Sequence, residues 1–232
     1  MGPVTYPANT EPEDSADSGS ADSWARAAEA QVLAEALKLA PAMGWTWRMA
    51  YAAGAAAGFS KGETELLLPA GPRDLAALFS RACDRAALAA LSDVDPRTLK
   101  VRARIRRGAL ARLQAAMDRE AAARRWAGYL ALPSNAGLGL RLAWESADGL
   151  WRWAGDTATD ANHYTKRALL AGILTGALLV RLADGEAAAE TYVDRRIENV
   201  MTFERLKARA GRLELGRLAA GALGRIRYGL SG

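Results

Sequence analysis

Apolar residues recur at intervals of three and four along most of the chain, and glycine and proline punctuate the runs. Val32, Leu33, Leu37 and Leu39 predict a helix over Trp24–Ala40, with Ser23 as its N-cap and Pro41 and Gly44 closing it. A short helix is expected from about Thr46 to Ala57. Gly58–Phe59–Ser60 then turns the chain, and Ser60 with Glu63 fits a capping box that opens a third helix. That helix cannot pass Leu68, because Pro69, Gly71 and Pro72 follow at once. Arg73–Leu91 reads as a fourth. Asp95–Pro96 opens the next with proline in its first turn; Val101, Ile105, Ala109 and Leu113 recur along it, and Lys100, Arg104, Arg107 and Arg112 make a broad basic face. A further helix runs to about Leu130 and stops at Pro133–Ser134–Asn135. Gly137–Trp153, about Thr159–Ala183, Ala187–Ala208 and Gly211–Leu230 complete a series of about ten helices without a credible strand. The expected fold class is all-α.

Composition agrees with the pattern. Half of the 232 residues are apolar, and alanine and leucine outweigh the β-branched residues, which favours helix. No run approaches the ~20 apolar residues of a spanning helix. Met1–Asp22 is acidic and rich in Pro, Ser and Gly, without the basic and apolar regions of a signal peptide or an arginine-rich amphipathic stretch; it reads as a disordered tail in a cytosolic, reducing setting. The one cysteine, Cys83, excludes an internal disulfide and a cysteine-rich zinc site. The net charge of +5 is unevenly spread, with ten bases against two acids in Arg97–Arg125 and nine against three in Arg195–Arg227. Such stretches suit an anionic membrane surface, nucleic acid or simply solvated helix faces.

The opening helices at Ala30–Phe79 resemble the DNA-binding end of TetR-type regulators. A reading helix needs bases and polar groups for phosphates and base edges, whereas Lys61–Leu68 offers one lysine, two glutamates and a leucine run. The expected domain order is an acidic tail (1–22), a degenerate helix-turn-helix region (23–92), a helical domain (93–209) and an amphipathic helix (210–232).

The chemistry concentrates in Gly155–Arg167, GDTATDANHYTKR, which holds the only histidine. Thr157 or Thr159 can cap the helix that follows, with Asp160 favourable to its dipole. Tyr164 and Arg167, three residues apart, share a face. No second histidine, Glu-x-x-His pair or nucleophile elbow accompanies them, so neither a helical di-iron site nor Ser-His-Asp chemistry is expected. The chain is expected not to be an enzyme, with no cofactor and no metal site. Either a well-capped helix start or an exposed docking surface would account for the cluster.

WRWAGDTATDANHYTKRALLAGIL, with DRRIENVM at Asp194–Met201, resembles the ubiquinone (coenzyme Q) biosynthesis accessory lipid-binding family. The order of Trp151, Gly155, Asp156, Thr159, Asp160, Asn162, Tyr164, Thr165, Arg167 and Ala168 follows that family's signature, and weaker similarity extends from about Ala30 to Met201. The resemblance implies a TetR-like, homodimeric, non-catalytic protein that holds a quinone or isoprenoid lipid and works with the di-iron demethoxyubiquinone hydroxylase. It implies a docking patch of Asp148, Leu150, Tyr164 and Arg167, flanked by Trp151 and His163. His163 stands where the family usually places tryptophan, a larger apolar anchor.

Ala168–Val180 is apolar around most of its circumference. Its Gly172 and Gly176 suit close helix packing, a dimer seam or room for a lipid chain, and Leu170, Ile173, Leu174 and Leu178 are the candidate lipid contacts. In the terminal segment Leu215, Leu218, Leu223 and Ile226 fall on one arc, with Arg217 and Arg225 flanking or opposite. That pattern suits either the surface of an anionic bilayer, at the inner face of the cytoplasmic membrane, or packing on the domain itself. The expected function is presentation of a quinone-type lipid to the hydroxylase, without nucleic acid; the rival is a TetR-type regulator with a lipid effector.

Overall fold

The computed structural model describes residues 15–157 and 161–199. Every regular element among them is helical: α1 Ser15–Met43, α2 Trp47–Ala56, α3 Lys61–Leu67, α4 Pro72–Ala90, α5 Val101–Met117, α6 Glu120–Leu130, α7 Ala136–Trp153 and α8 Ala161–Asp184. A ninth helix, α9, covers residues 186–199. The protein is therefore all-α, as its periodicity predicts. Two compact units divide the chain, Met1–Ala82 with Arg119–Leu138, and Cys83–Asp118 with Gly139–Gly232.

In the first unit, Ala28, Val32, Leu33, Ala36 and Ala40 form the buried stripe of α1. Phe79 lies between Trp45 and Trp126, at ring-centroid distances of 5.8 and 5.5 Å. The indole N–H groups of both tryptophans donate to main-chain carbonyls, of Ala122 and Ala76, so the rings bring no orphaned donor into the core. Thr46 caps α2 by accepting from the Met49 N–H. Ser60 and Glu63 form the expected capping box at α3; the hydroxyl of Ser60 and its N–H hold the Glu63 carboxyl below its ordinary value. The charges of α3 are tied locally, Lys61 to Glu65 at 3.8 Å and Tyr51 to Glu65 at 2.7 Å.

Three boundaries differ from expectation. Helix α1 begins at Ser15, so Ser23 is inside it rather than at its cap, and residues 15–22 are helical although their composition reads as tail. It also continues through Pro41 to Met43. Proline there removes a single N–H bond in the final turn, and Arg125 Nε donates to the Pro41 carbonyl at 3.0 Å. Farther on, Asp95–Pro96 starts only a 3-10 turn, Pro96–Thr98, and α5 begins separately at Val101.

The second unit is built on α5, α7, α8 and α9. Ile105, Ala109, Leu113, Ala147, Leu150, Leu170, Ile173, Leu174, Val193 and Ile197 form one buried cluster. Small residues set two close approaches. A Cβ on Gly108 would meet Leu150 Cδ2 at 3.0 Å, and one on Gly176 would overlap the Tyr192 hydroxyl. The second contact seats Tyr192 of α9 against α8. Cys83 is buried, donates toward the Ala115 carbonyl and has its thiol pushed up to about 11 by burial.

Of the basic face expected on α5, Arg104 and Arg112 are spent inside the unit, while Lys100 and Arg107 are exposed. Arg112 is buried and paired with Asp84, which also accepts from Ser146. Arg104 donates to the carbonyls of Leu99 and Ala154 at 2.8 and 2.7 Å. Arg102 pairs with Glu198, and Arg106 with Asp194 and Glu190. The acids at 190, 194 and 198 are spaced one turn apart on α9 and meet bases spaced one turn apart on α5.

Candidate functional site

Helix α7 ends at Trp153, and Gly155, two residues on, has a φ of +83°, a left-handed conformation that glycine adopts without steric cost. The chain reverses there and re-enters helix at Ala161. The turn brings Asp148 of α7 and Asp156 of the connection onto Arg167 of α8. Arg167 Nε donates to Asp148 Oδ1 at 2.6 Å; its Nη1 donates to Asp156 Oδ2 at 3.0 Å and to the His163 carbonyl at 3.2 Å. Only 2% of Arg167 is exposed. Lys166 Nζ reaches the other oxygen of Asp156 at 2.6 Å, and Arg152 reaches Asp148 at 2.7 Å. Trp151 donates its indole N–H to the Lys166 carbonyl at 3.1 Å, with the Lys166 ammonium 5.3 Å from its ring centroid.

The electrostatics follow from this geometry. Burial opposes charge on Asp156, but the bonds from Lys166 and Arg167 outweigh it and hold the carboxyl below its ordinary value. Burial likewise opposes the Arg167 cation, and Asp148 and Asp156 overcome it, raising its pKa. The guanidinium is charged at every accessible pH and bound on several sides.

Two expected docking residues are thus corrected. Arg167 is not a surface group: its periodicity matches Tyr164, but Asp148 and Asp156 cover it. Leu150 is 3% exposed and belongs to the core against Gly108. Asp148 is partly buried and engaged by two arginines. Trp151 and His163 are half-buried. Tyr164 is the exposed member, at 64%. Its ring stacks on Trp144 with centroids 6.1 Å apart, and His163 meets it edge-on at 5.1 Å. Leu140, one turn before Trp144 on α7, is 75% exposed. An aromatic and aliphatic surface therefore sits directly outside a buried ionic cluster. Lys166, Asp156 and Arg104 complete that cluster and its tether. The placement of Asp156 immediately after a turn glycine was the available sequence signal for it. Thr157 is exposed, and Thr159 and Asp160 lie outside the described residues.

The lipid contacts expected on α8 are packed against neighbouring side chains of the second unit. Leu170, Ile173 and Leu174 are packed in the buried cluster, with Leu178 against it. A groove of about 630 Å³ opens elsewhere in the second unit, between α5, the end of α4 and the start of α9. Among the described residues no helix is long and apolar enough to cross a membrane, and no group of three His, Cys, Asp or Glu is placed to hold a metal ion. The membrane contacts expected at Leu215, Arg217, Leu218, Leu223, Arg225 and Ile226 lie outside the described residues.

The fold and site define an all-helical protein with a rigid ionic cluster beneath an exposed aromatic surface. The segment that builds this site has identifiable kin: residues 136–204 match the COQ9 family model. Over 79 residues the chain is 38% identical to the ubiquinone biosynthesis protein COQ9-A, mitochondrial, of Xenopus laevis, covering 33% of this chain and 25% of that protein. Identity to the Rattus norvegicus COQ9 is 39% over 77 residues, covering 32% of this chain and 25% of the relative. For the Homo sapiens COQ9 it is 35% over 77 residues, 32% of this chain and 24% of the relative. The alignments span about a quarter of the length of these curated relatives. Over this segment, the resemblance drawn from the residues is shown.

Proposed function

We propose that the chain is a non-catalytic accessory protein of ubiquinone biosynthesis, which binds a quinone or isoprenoid lipid and presents it at a membrane to the demethoxyubiquinone hydroxylase. The observation that carries this reading is the match of residues 136–204 to the COQ9 model over the same helices that hold the Tyr164 surface. The geometry supports a docking role for that surface. Tyr164, Trp144 and Leu140 offer apolar area with a hydroxyl at its edge, the composition of interface centres. Arg167 contributes by holding the α7–α8 turn, and so the direction of Tyr164, rather than by touching a partner. The physical need is plain: a polyisoprenoid tail is insoluble, and an enzyme outside the bilayer reaches the ring only if another apolar surface covers the chain. Membrane attachment at a cytoplasmic face through residues 210–232 and a homodimeric state belong to the same proposal.

Tyr164→Ala tests it. Ubiquinone content in cells relying on this chain is expected to fall severalfold while the level of folded protein is unchanged, and co-purification of the hydroxylase is expected to be lost. Unchanged ubiquinone content with normal co-purification would remove the docking role.

A further inference from the structure

The groove in the second unit has a chemistry that nothing in the Tyr164 surface explains. Its floor includes Leu91, Leu99, Leu110 and Leu113, and its rim carries three arginines and two glutamates. Two of the three arginines are already neutralised. Arg106 is bonded to Asp194 and Glu190, and Arg181 to Glu186. Arg107 is exposed and makes no hydrogen bond or ion pair among the described residues. At about 630 Å³ the groove falls in the ~300–1,000 Å³ range of small-molecule sites. It therefore joins an apolar trough to a cation, Arg107, that is uncommitted among the described residues.

We propose that this groove binds a single-chain anionic amphiphile, its hydrocarbon along the leucines and its headgroup on the Arg107 guanidinium. Charge complementarity selects that occupant. A neutral chain would bury the leucines without engaging Arg107, and a small anion without a tail would leave the trough wet. A carboxylate or a phosphate monoester meets the planar fork of arginine with paired hydrogen bonds. The proposal deepens the lipid-binding part of the function proposed above and rests on it, but not on hydroxylase docking or membrane attachment.

Isothermal titration of the full chain with dodecanoate, dodecyl phosphate, dodecanol and farnesol decides it. Both anions are expected to bind about tenfold tighter than dodecanol, and the tighter of the two identifies the headgroup. Arg107→Gln, at an exposed position, is expected to erase the preference, Arg107→Lys to keep most of it, and Ala111→Trp, which fills the trough, to abolish binding of every chain. Equal binding of dodecanol and the anions, or a preference that survives Arg107→Gln, would overturn the proposal. Anion binding that persists in Ala111→Trp would place the chain outside the groove, ending this proposal while leaving lipid binding intact. Failure of all four probes would end both.

Discussion

Helix α3 and the α7–α8 turn are each short, charged and closed by a turn, yet their charges do different work. On α3, Lys61, Glu63 and Glu65 are exposed and satisfy one another or a cap. Water competes for each of those bonds, so the helix is tidy rather than strongly held. At α7–α8, Arg167 is buried between two carboxylates and a carbonyl. There, removing one partner leaves the others without water or protein to replace it. The same residue types trim a surface in one place and fix a backbone in the other.

The strongest way to break the contrast is Arg167→Met. It leaves Asp148 and Asp156 with buried oxygens short of a donor and is expected to cost ~3–5 kcal/mol in urea unfolding; a loss under 1 kcal/mol would mean that the cluster relaxes into water. Acid should find the same weak point. Because the Asp156 carboxyl lies below its ordinary value, its contribution is fully present above the unfolded carboxylate pKa and is lost as pH falls through the folded one. Asp156→Asn should flatten that acid limb of the stability profile, and an unchanged limb would assign it to other groups. Gly176→Ala is next. The new methyl meets the Tyr192 hydroxyl and is expected to cost ~1–3 kcal/mol, largely recovered when Tyr192→Ala is added; additive losses in that double-mutant cycle would contradict direct contact. On α3, Ser60→Ala should cost ~1 kcal/mol through its cap. Lys61→Ala should be smallest, within ~0.5 kcal/mol; a larger loss would show that exposed pairs matter more here than the contrast allows.

Local chemistry was legible in the chain. Ser60–Glu63 could be read as a capping box, and Gly155 and Gly185 as helix stops, because each depends on neighbours a few residues away. Burial was not legible. Helical spacing places Tyr164 and Arg167 on adjacent lines of α8, but whether either is covered depends on Asp148 and Asp156, eight or more residues upstream across a turn. The same limit made α5 look like a basic surface, since its partners at Glu190, Asp194 and Glu198 are more than eighty residues away. The apolar run of α8 could be read as core, pocket or seam for the same reason; packing, not pattern, decides among them.

Helix α9 is fastened in two ways that respond differently to ionic strength. The pairs from Arg102 and Arg106 to Glu198, Asp194 and Glu190 are half-exposed, and added electrolyte weakens them as the screening length shortens from ~8 Å at physiological concentration to ~3 Å at 1 M. Tyr192 seated at Gly176 is a matter of shape and does not feel the ions. Concentrated salt should therefore loosen the α5 side of α9 while its α8 side stays in register, widening the rim of the groove that Arg106 and Glu190 share.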